Sequence, residues 1–375
     1  MRMRNELPAR VDVAVVGLGL MGAAAAFALA RRGRAVLALD ARPAGHTAGS
    51  SHGGSRIVRR AYAQDHYVAM TGAAWDGWLE LEELSGRRLL TVTGGVDHGA
   101  PGGTHELRDA LRRRGVACSL MDAAEATERW PHMRFQGPVL FHPQAGAVDP
   151  DAGIEVMTSL AAAAGADVRR YEPVRGMRLH DDRVEIATGE GTVAAGRAVV
   201  AAGPWTAELL DGAVPLPRLT VTQQQVFFFR RKQGDDASWP TAIHRGERMM
   251  YAVPEARGGG ALPAMKIGDH SAGAVTTAST RDGRVDPEAR QSAVRYVREW
   301  WPGLEAEPLD EASCLYTRTA SEDFFLGSYG PLLVLSPCSG HGAKFAPLIG
   351  RWAAVLLEGG RLPYPFFDRA AHGAG

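Results

Sequence analysis

An α/β (α+β) chain of two domains is what the sequence predicts, one built on a parallel nucleotide-binding sheet and the other on a mixed sheet. Three observations carry that expectation. Residues 11–40 read as a strand, a glycine-rich turn, a helix and a second strand ending in an acid. Residues 198–202 are a later apolar run ending at Gly203, suited to a strand that returns to the same sheet. Residues 221–230, with glutamines at 223–225 and phenylalanines at 227–229, read as a strand of a different sheet.

Taken in order, residues 13–16 (Val-Ala-Val-Val) form the short apolar run expected of a parallel strand buried on both faces. Gly17-Leu18-Gly19-Leu20-Met21-Gly22 follows directly. The first glycine permits the tight turn, the second lets the backbone approach a pyrophosphate, and the third lets helix and strand pack closely. Residues 23–32 read as a small-residue helix stopped by Gly33. Its N-terminus would offer unpaired N–H groups to phosphate. Residues 36–39 form the next strand, and Asp40 follows the turn at about the 20-residue spacing of a ribose hydroxyl ligand. An ordinary βα turn shares the six-residue motif, but strand, helix and acid together favour a dinucleotide. The motif does not choose between NAD and FAD.

Further along, residues 161–164 belong to an alanine-rich helix, and residues 181–193 alternate and turn like a hairpin. Residues 249–254 and 264–268 look like a second hairpin, joined by the glycine-rich loop 257–263. Residues 292–300 are helical in pattern. Ser339-Gly340-His341-Gly342-Ala343-Lys344 opens an apolar-faced helix over 344–358 that Gly359-Gly360 closes. No repeat or low-complexity linker interrupts the chain.

Composition narrows the class. The chain has 375 residues, 42 basic and 42 acidic, with 45% hydrophobic content, enough for a large core and two domains. Its zero formal net charge argues against a general nucleic-acid binder. Cys118, Cys314 and Cys338 are too few for a disulfide framework and lack paired metal-ligand spacing, so no metal is expected. Residues 1–10 are polar, and no segment approaches the roughly 20 apolar residues of a membrane span, so a cytoplasmic, membrane-free protein is expected.

Residues 49–62, Gly-Ser-Ser-His-Gly-Gly-Ser-Arg-Ile-Val-Arg-Arg-Ala-Tyr, would pass for a solvated basic loop by composition alone. Their order resembles a stretch of the monomeric sarcosine oxidase family of flavoenzymes, which includes N-methyltryptophan oxidase and pipecolate oxidase. The resemblance spans nearly the whole chain. It continues through His142-Pro143 with residues 146–150, Val199 to Trp205 (Val-Val-Ala-Ala-Gly-Pro-Trp), Met265-Lys266-Ile267-Gly268-Asp269-His270, Cys314-Leu315-Tyr316-Thr317 and Gly340-His341-Gly342-Ala343-Lys344-Phe345. Several separated segments in the right order are far more specific than any one of them.

What the resemblance implies is an FAD-binding Rossmann-like domain of the glutathione-reductase-like type, discontinuous over residues 1–86, 142–218 and 311–375. A substrate domain would come from 87–141 and 219–310. It implies FAD held by Gly17, Gly19, Met21, Gly22, Asp40, Ser50, His52, Arg56, Val174, Gly203, Trp205, Gly340, Gly342 and Lys344, and attached as a thioether to Cys314. A buried structural thiol is the alternative for Cys314. Arg59 and Lys344 match residues that hold the substrate carboxylate, a task suited to an arginine fork and a lysine point charge. Lys266 matches the lysine that promotes the reaction with oxygen, where a fixed cation stabilises new negative charge. His270, Tyr251 and Tyr316 match residues lining the substrate cavity. His52 and Arg56 match residues beside the flavin ring.

The implied activity is oxidation of a secondary or cyclic amino acid by FAD and then O2, releasing H2O2, in a monomer whose partners are a small amine substrate and oxygen. An FAD-dependent dehydrogenase passing electrons to a quinone or carrier is the alternative. A nicotinamide enzyme fits only the first motif, and a non-catalytic flavin binder would not need both carboxylate-binding cations. Departures from the pattern are Ser51, Gly54 and Ser55 in the basic stretch and the long loop 257–263, which leave the substrate open.

Overall fold

The computed structural model describes residues 6–99, 101–232, 238–255, 264–364 and 367. The glycine-rich loop 257–263 lies outside the described residues. Strand Arg10–Val16 starts exposed and becomes fully buried over its last four residues. It pairs in parallel with Val36–Asp40 on one side and Thr192–Val200 on the other. These strands anchor an eight-stranded sheet ordered Gly176–Leu179, Val184–Ala187, Thr192–Val200, Arg10–Val16, Val36–Asp40 and Asp167–Arg170. Leu332–Ser336 joins it beside Thr192–Val200 and carries Phe325–Tyr329 as a hairpin partner. Near-continuous Val, Leu and Ala runs suit this position, because each side chain is buried whichever face it takes. Each fully buried Val or Leu contributes about 1.5–3 kcal/mol relative to exposure.

Alanine governs how the helices cover the sheet. Leu20–Ala30 packs on Pro150–Ala163 and on Ala346–Leu357. A side chain at Gly350 would lie 2.4 Å from the Ala24 carbonyl oxygen, so the two helices meet backbone to backbone.

The second sheet has nine strands, ordered Ala274–Thr276, Thr220–Arg231, Ala264–Asp269, Met249–Glu255, Thr241–Arg245, Gly95–Gly99, Val139–His142 and Ser119–Met121, with Leu304–Arg318 also paired to Thr220–Arg231. Its pairs are antiparallel except Gly95–Gly99 with Thr241–Arg245. Alternation divides its faces. Phe227, Phe229, Met265 and Ile267 enter a core with Val297 and Trp301, under helix Pro287–Trp300. Val226, Phe228, Lys266, Tyr251, Val253, Ala312 and Cys314 face the opposite way, into a cavity.

A small antiparallel sheet of Arg56–Arg59, Ala145–Val148 and Leu90–Val92 completes the framework. Both expected hairpins form, as Val184–Ala187 with Thr192–Val200 and as Met249–Glu255 with Ala264–Asp269. The expected helix over 344–358 is shorter, Ala346–Leu357, with a 3-10 turn Ala343–Phe345 ahead of it. Strand Leu304–Arg318 runs through residue 311, where the sequence placed a domain boundary. Among the described residues no helix is long and apolar enough to cross a membrane.

Candidate functional site

A cavity of about 800 Å3 runs from the glycine-rich turn to the inner face of the nine-stranded sheet. At its first end Gly17 adopts φ +93°, and a side chain there would lie 2.6 Å from the Ala201 carbonyl oxygen. Only glycine suits both conditions. Gly22 is the one predicted cofactor residue that does not line the cavity; it sits against Gly17, where a Cβ would be 1.7 Å from the carbonyl oxygen. That is the helix–strand contact expected of the third glycine. Gly17, Gly19, Met21 and Asp40 line the cavity. Asp40 Oδ2 accepts the Leu18 N–H at 2.7 Å and Oδ1 the Arg42 N–H at 2.8 Å, so the acid also braces the turn. Ser51 Oγ accepts the Leu20 N–H at 3.2 Å.

Val174, Gly203 and Trp205 line the middle of the cavity. Arg42 lies 5.2 Å from the centre of the Trp205 ring. The segment 50–56 then crosses to the far end. Arg56 ties it together by donating to the carbonyl oxygens of Ser50, His52 and Ser55 at 2.9, 2.6 and 2.8 Å. Burial first, then the charges of Arg56, Arg281 and Lys266, push the His52 pKa down to about 4. His52 is therefore a neutral imidazole at pH 7, and the fixed positive charge here comes from Arg56. Ser50 Oγ and His52 Nε2 are buried without a hydrogen-bond partner among the described residues, and both residues line the cavity.

At the far end stand Cys314 and Lys266, 7% and 4% exposed. Cys314 is a free thiol on strand Leu304–Arg318, with its pKa raised by burial against the opposing pull of Arg56 and Lys266. Lys266 projects from Ala264–Asp269 between two core residues, so strand alternation points it into the cavity. Its Nζ donates to the Ser55 carbonyl oxygen and lies 3.6 Å from Glu255 Oε2. Burial and Arg56 push its pKa down to about 7, with Glu255 pulling the other way.

Arg59 and Lys344 converge on Tyr62. The Arg59 guanidinium carbon is 4.3 Å from the centre of the Tyr62 ring, and Lys344 Nζ donates to the Tyr62 hydroxyl at 3.1 Å and to the His341 carbonyl oxygen at 2.7 Å. His341 Nδ1 lies 3.2 Å from the same hydroxyl. Helix Asp65–Ser85 fixes the turn from behind, through Trp78 Nε1 donating to the Lys344 carbonyl oxygen at 2.8 Å. Burial, then Arg59, drives the Lys344 pKa well below its ordinary value.

The cavity wall here is aromatic. Tyr251 and Tyr316 are half-buried, and desolvation of their phenols raises both above their ordinary values. His270 sits 5.7 Å from the Tyr316 ring centre. Gly340 has φ +74°, and a side chain there would lie 2.5 Å from Tyr316 and 2.7 Å from His270. Gly340 and Gly342 both line the cavity.

Five neighbours escaped the sequence reading. Glu255 is a buried acid beside Lys266. Glu322 lies 3.9 Å from His270 and 2.9 Å from Arg318. Arg245 lines the cavity, and its Nη2 donates to the buried Asp97 Oδ1 at 3.2 Å. Burial opposes ionisation of Asp97, but His142, Arg245 and Arg59 bring its pKa down to about 2. Arg318 and Glu322 follow the matched Tyr316-Thr317 within a few residues, whereas Glu255, Asp97 and Arg245 reach the site through sheet register.

The donor set fits FAD. A glycine turn at a helix start, an acid at the second strand, Ser50 Oγ and His52 Nε2 without a partner among the described residues, and a buried thiol line one continuous cavity. Among the described residues no group of acids, histidines and cysteines could hold a metal.

Comparison with known proteins agrees. Residues 12–356 match the DAO family, FAD dependent oxidoreductase. The chain is 32% identical to monomeric sarcosine oxidase of Bacillus sp. (strain NS-129), covering 93% of both chains. It is 27% identical to N-methyl-L-tryptophan oxidase of Yersinia pestis (strain Pestoides F), covering 92% of this chain and 95% of that one. Its fold is similar to that of NikD, an unusual amino acid oxidase essential for nikkomycin biosynthesis, with TM-score 0.85, 23% identity and 96% of each chain covered.

Proposed function

The chain belongs to the DAO family of FAD dependent oxidoreductases, and from that premise we propose that it oxidises a secondary or cyclic α-amino acid and passes the electrons to oxygen. Bound FAD would supply the redox chemistry, acceptance of a hydride from the C–H beside nitrogen while the N–H proton is released to give C=N, and transfer of the two electrons to O2, which with two protons becomes H2O2.

In this reading Arg59 and Lys344 hold the substrate carboxylate, the arginine through a two-pronged hydrogen bond and the lysine as a point charge. The observation that carries the reading is their convergence on Tyr62 within the cavity that also holds Cys314 and Lys266. Tyr251, Tyr316 and His270 shape the wall against which the amine end rests. Burial there excludes water and favours entry of the neutral amine, whose lone pair is then free to form the C=N bond. Asp40 and the glycine turn hold the ribose and pyrophosphate, and Cys314 tethers the flavin ring. Lys266 places positive charge where oxygen is reduced. The protein works as a monomer.

The test is peroxide release in air with no added acceptor, across sarcosine, other N-methyl amino acids, proline and pipecolate. Peroxide equal to substrate consumed supports the reading. Turnover only with an artificial acceptor would remove its oxygen half.

A further inference from the structure

The chain has 42 basic residues, of which only Lys232, Lys266 and Lys344 are lysine. Lys232 is exposed, while Lys266 and Lys344 are 4% and 5% exposed and line the same cavity. A chain that uses arginine nearly everywhere else thus keeps lysine where the cation is buried. The two differ in one relevant respect: a guanidinium stays charged, whereas a buried ammonium readily gives up its proton.

For Lys266 that is a hazard. An uncharged amine could not stabilise negative charge on oxygen. The groups facing it are Arg56 and His52 from segment 50–56, Glu255 from Met249–Glu255 and Cys314 from Leu304–Arg318. Arg56 repels a proton on Lys266, His52 is neutral, and the Cys314 thiol is protonated. Glu255 is the first of these to oppose the loss, ahead of the smaller pull of Cys314, whose thiol burial keeps from ionising. Its side chain is 1% exposed, its Oε2 is 3.6 Å from Lys266 Nζ, and Ser55 Oγ donates to the same oxygen. Ser55 joins the two residues at both ends, since its carbonyl oxygen accepts from Lys266. A buried carboxylate in turn requires a cation nearby.

We propose that Glu255 is a positioning residue that keeps Lys266 charged and aimed into the cavity, with Ser55 as the clamp between them. The consequence for oxygen rests on the oxidase reading above; the charge on Lys266 does not.

Three lysines make the test direct. Holoprotein in the oxidised state is grown with lysine labelled with 13C at Cε, and the resonances are titrated by NMR. The Lys266 signal is assigned by its loss in Lys266→Met. Glu255→Gln should lower the Lys266 midpoint by at least about one pH unit, a tenfold fall in the charged-to-neutral ratio above it. Glu255→Asp should keep the midpoint near the parent value. Glu255→Ser serves if the amide variant does not fold. The pH above which reoxidation by O2 slows should shift down in parallel. A Lys266 midpoint that stays put or rises in both neutral variants overturns the proposal. A shifted midpoint in a protein that makes no peroxide would uphold it and remove the oxidase reading instead.

Discussion

The guanidinium carbon of Arg59 lies 4.3 Å from the centre of the Tyr62 ring, on the same tyrosine whose hydroxyl accepts a hydrogen bond from Lys344 at 3.1 Å. One aromatic residue therefore orients both cations assigned to the substrate carboxylate. Removing one member of such a half-buried charge pair costs about 2–5 kcal/mol. Arg59→Ala should weaken a carboxylate inhibitor accordingly while flavin content stays at the parent level. Tyr62→Phe should cost less, about 1–3 kcal/mol, because it leaves Lys344 short of one partner without removing a charge. Anaerobic titration of the visible flavin spectrum measures both affinities.

Carboxylate binding should also depend on pH, with a definite sign. Burial and Arg59 depress the Lys344 pKa in the free protein. An arriving carboxylate favours the ammonium, so its pKa rises in the complex. Protons are then taken up on binding, and affinity falls as pH climbs above the free-protein value. Calorimetry in buffers of different ionisation enthalpy should show proton uptake, and the uptake should vanish in Lys344→Met. Proton release in the parent would contradict this assignment.

Lys266→Met should separate the two half-reactions. Reduction by substrate without air should remain close to the parent rate. Reoxidation by O2 should slow by about a hundredfold or more, the scale on which one preorganised electrostatic group acts. Rapid-mixing traces in which both halves slow equally would refute the division of labour.

Cys314→Ala tests the tether. In the parent, yellow colour should stay with acid-precipitated protein, and in the variant it should pass to the supernatant. Colour in the supernatant from both would leave Cys314 a buried thiol with no bond to flavin.

Much of this architecture was legible because it rests on short-range rules. Val13 to Val16, the three glycines and Asp40 encode strand, turn and acid within one βα unit. Lys266 could be placed facing inward because Met265 and Ile267 flank it, and a strand cannot bury both neighbours on the face it shares with the lysine. The partners of these residues were less visible. Glu255 meets Lys266 only because Val253 and Lys266 are paired across two antiparallel strands, and register is not written beside either residue. Strand Leu304–Arg318 escaped notice since its first half alternates with solvent through Glu305, Glu307, Leu309 and Glu311, and its acids and Pro308 read as an exposed connection. Helix Asp65–Ser85 mixes acids and tryptophans on a pattern that resolves only once Trp78 is seen bonded to Lys344.

The most direct measurement is anaerobic mixing of the purified yellow protein with N-methyl and cyclic amino acids, following the flavin band. The account predicts full bleaching by at least one of them, at a rate that Arg59→Ala lowers at limiting substrate. A flavin band that none of these substrates bleaches, in protein that still binds a simple carboxylate, would contradict it.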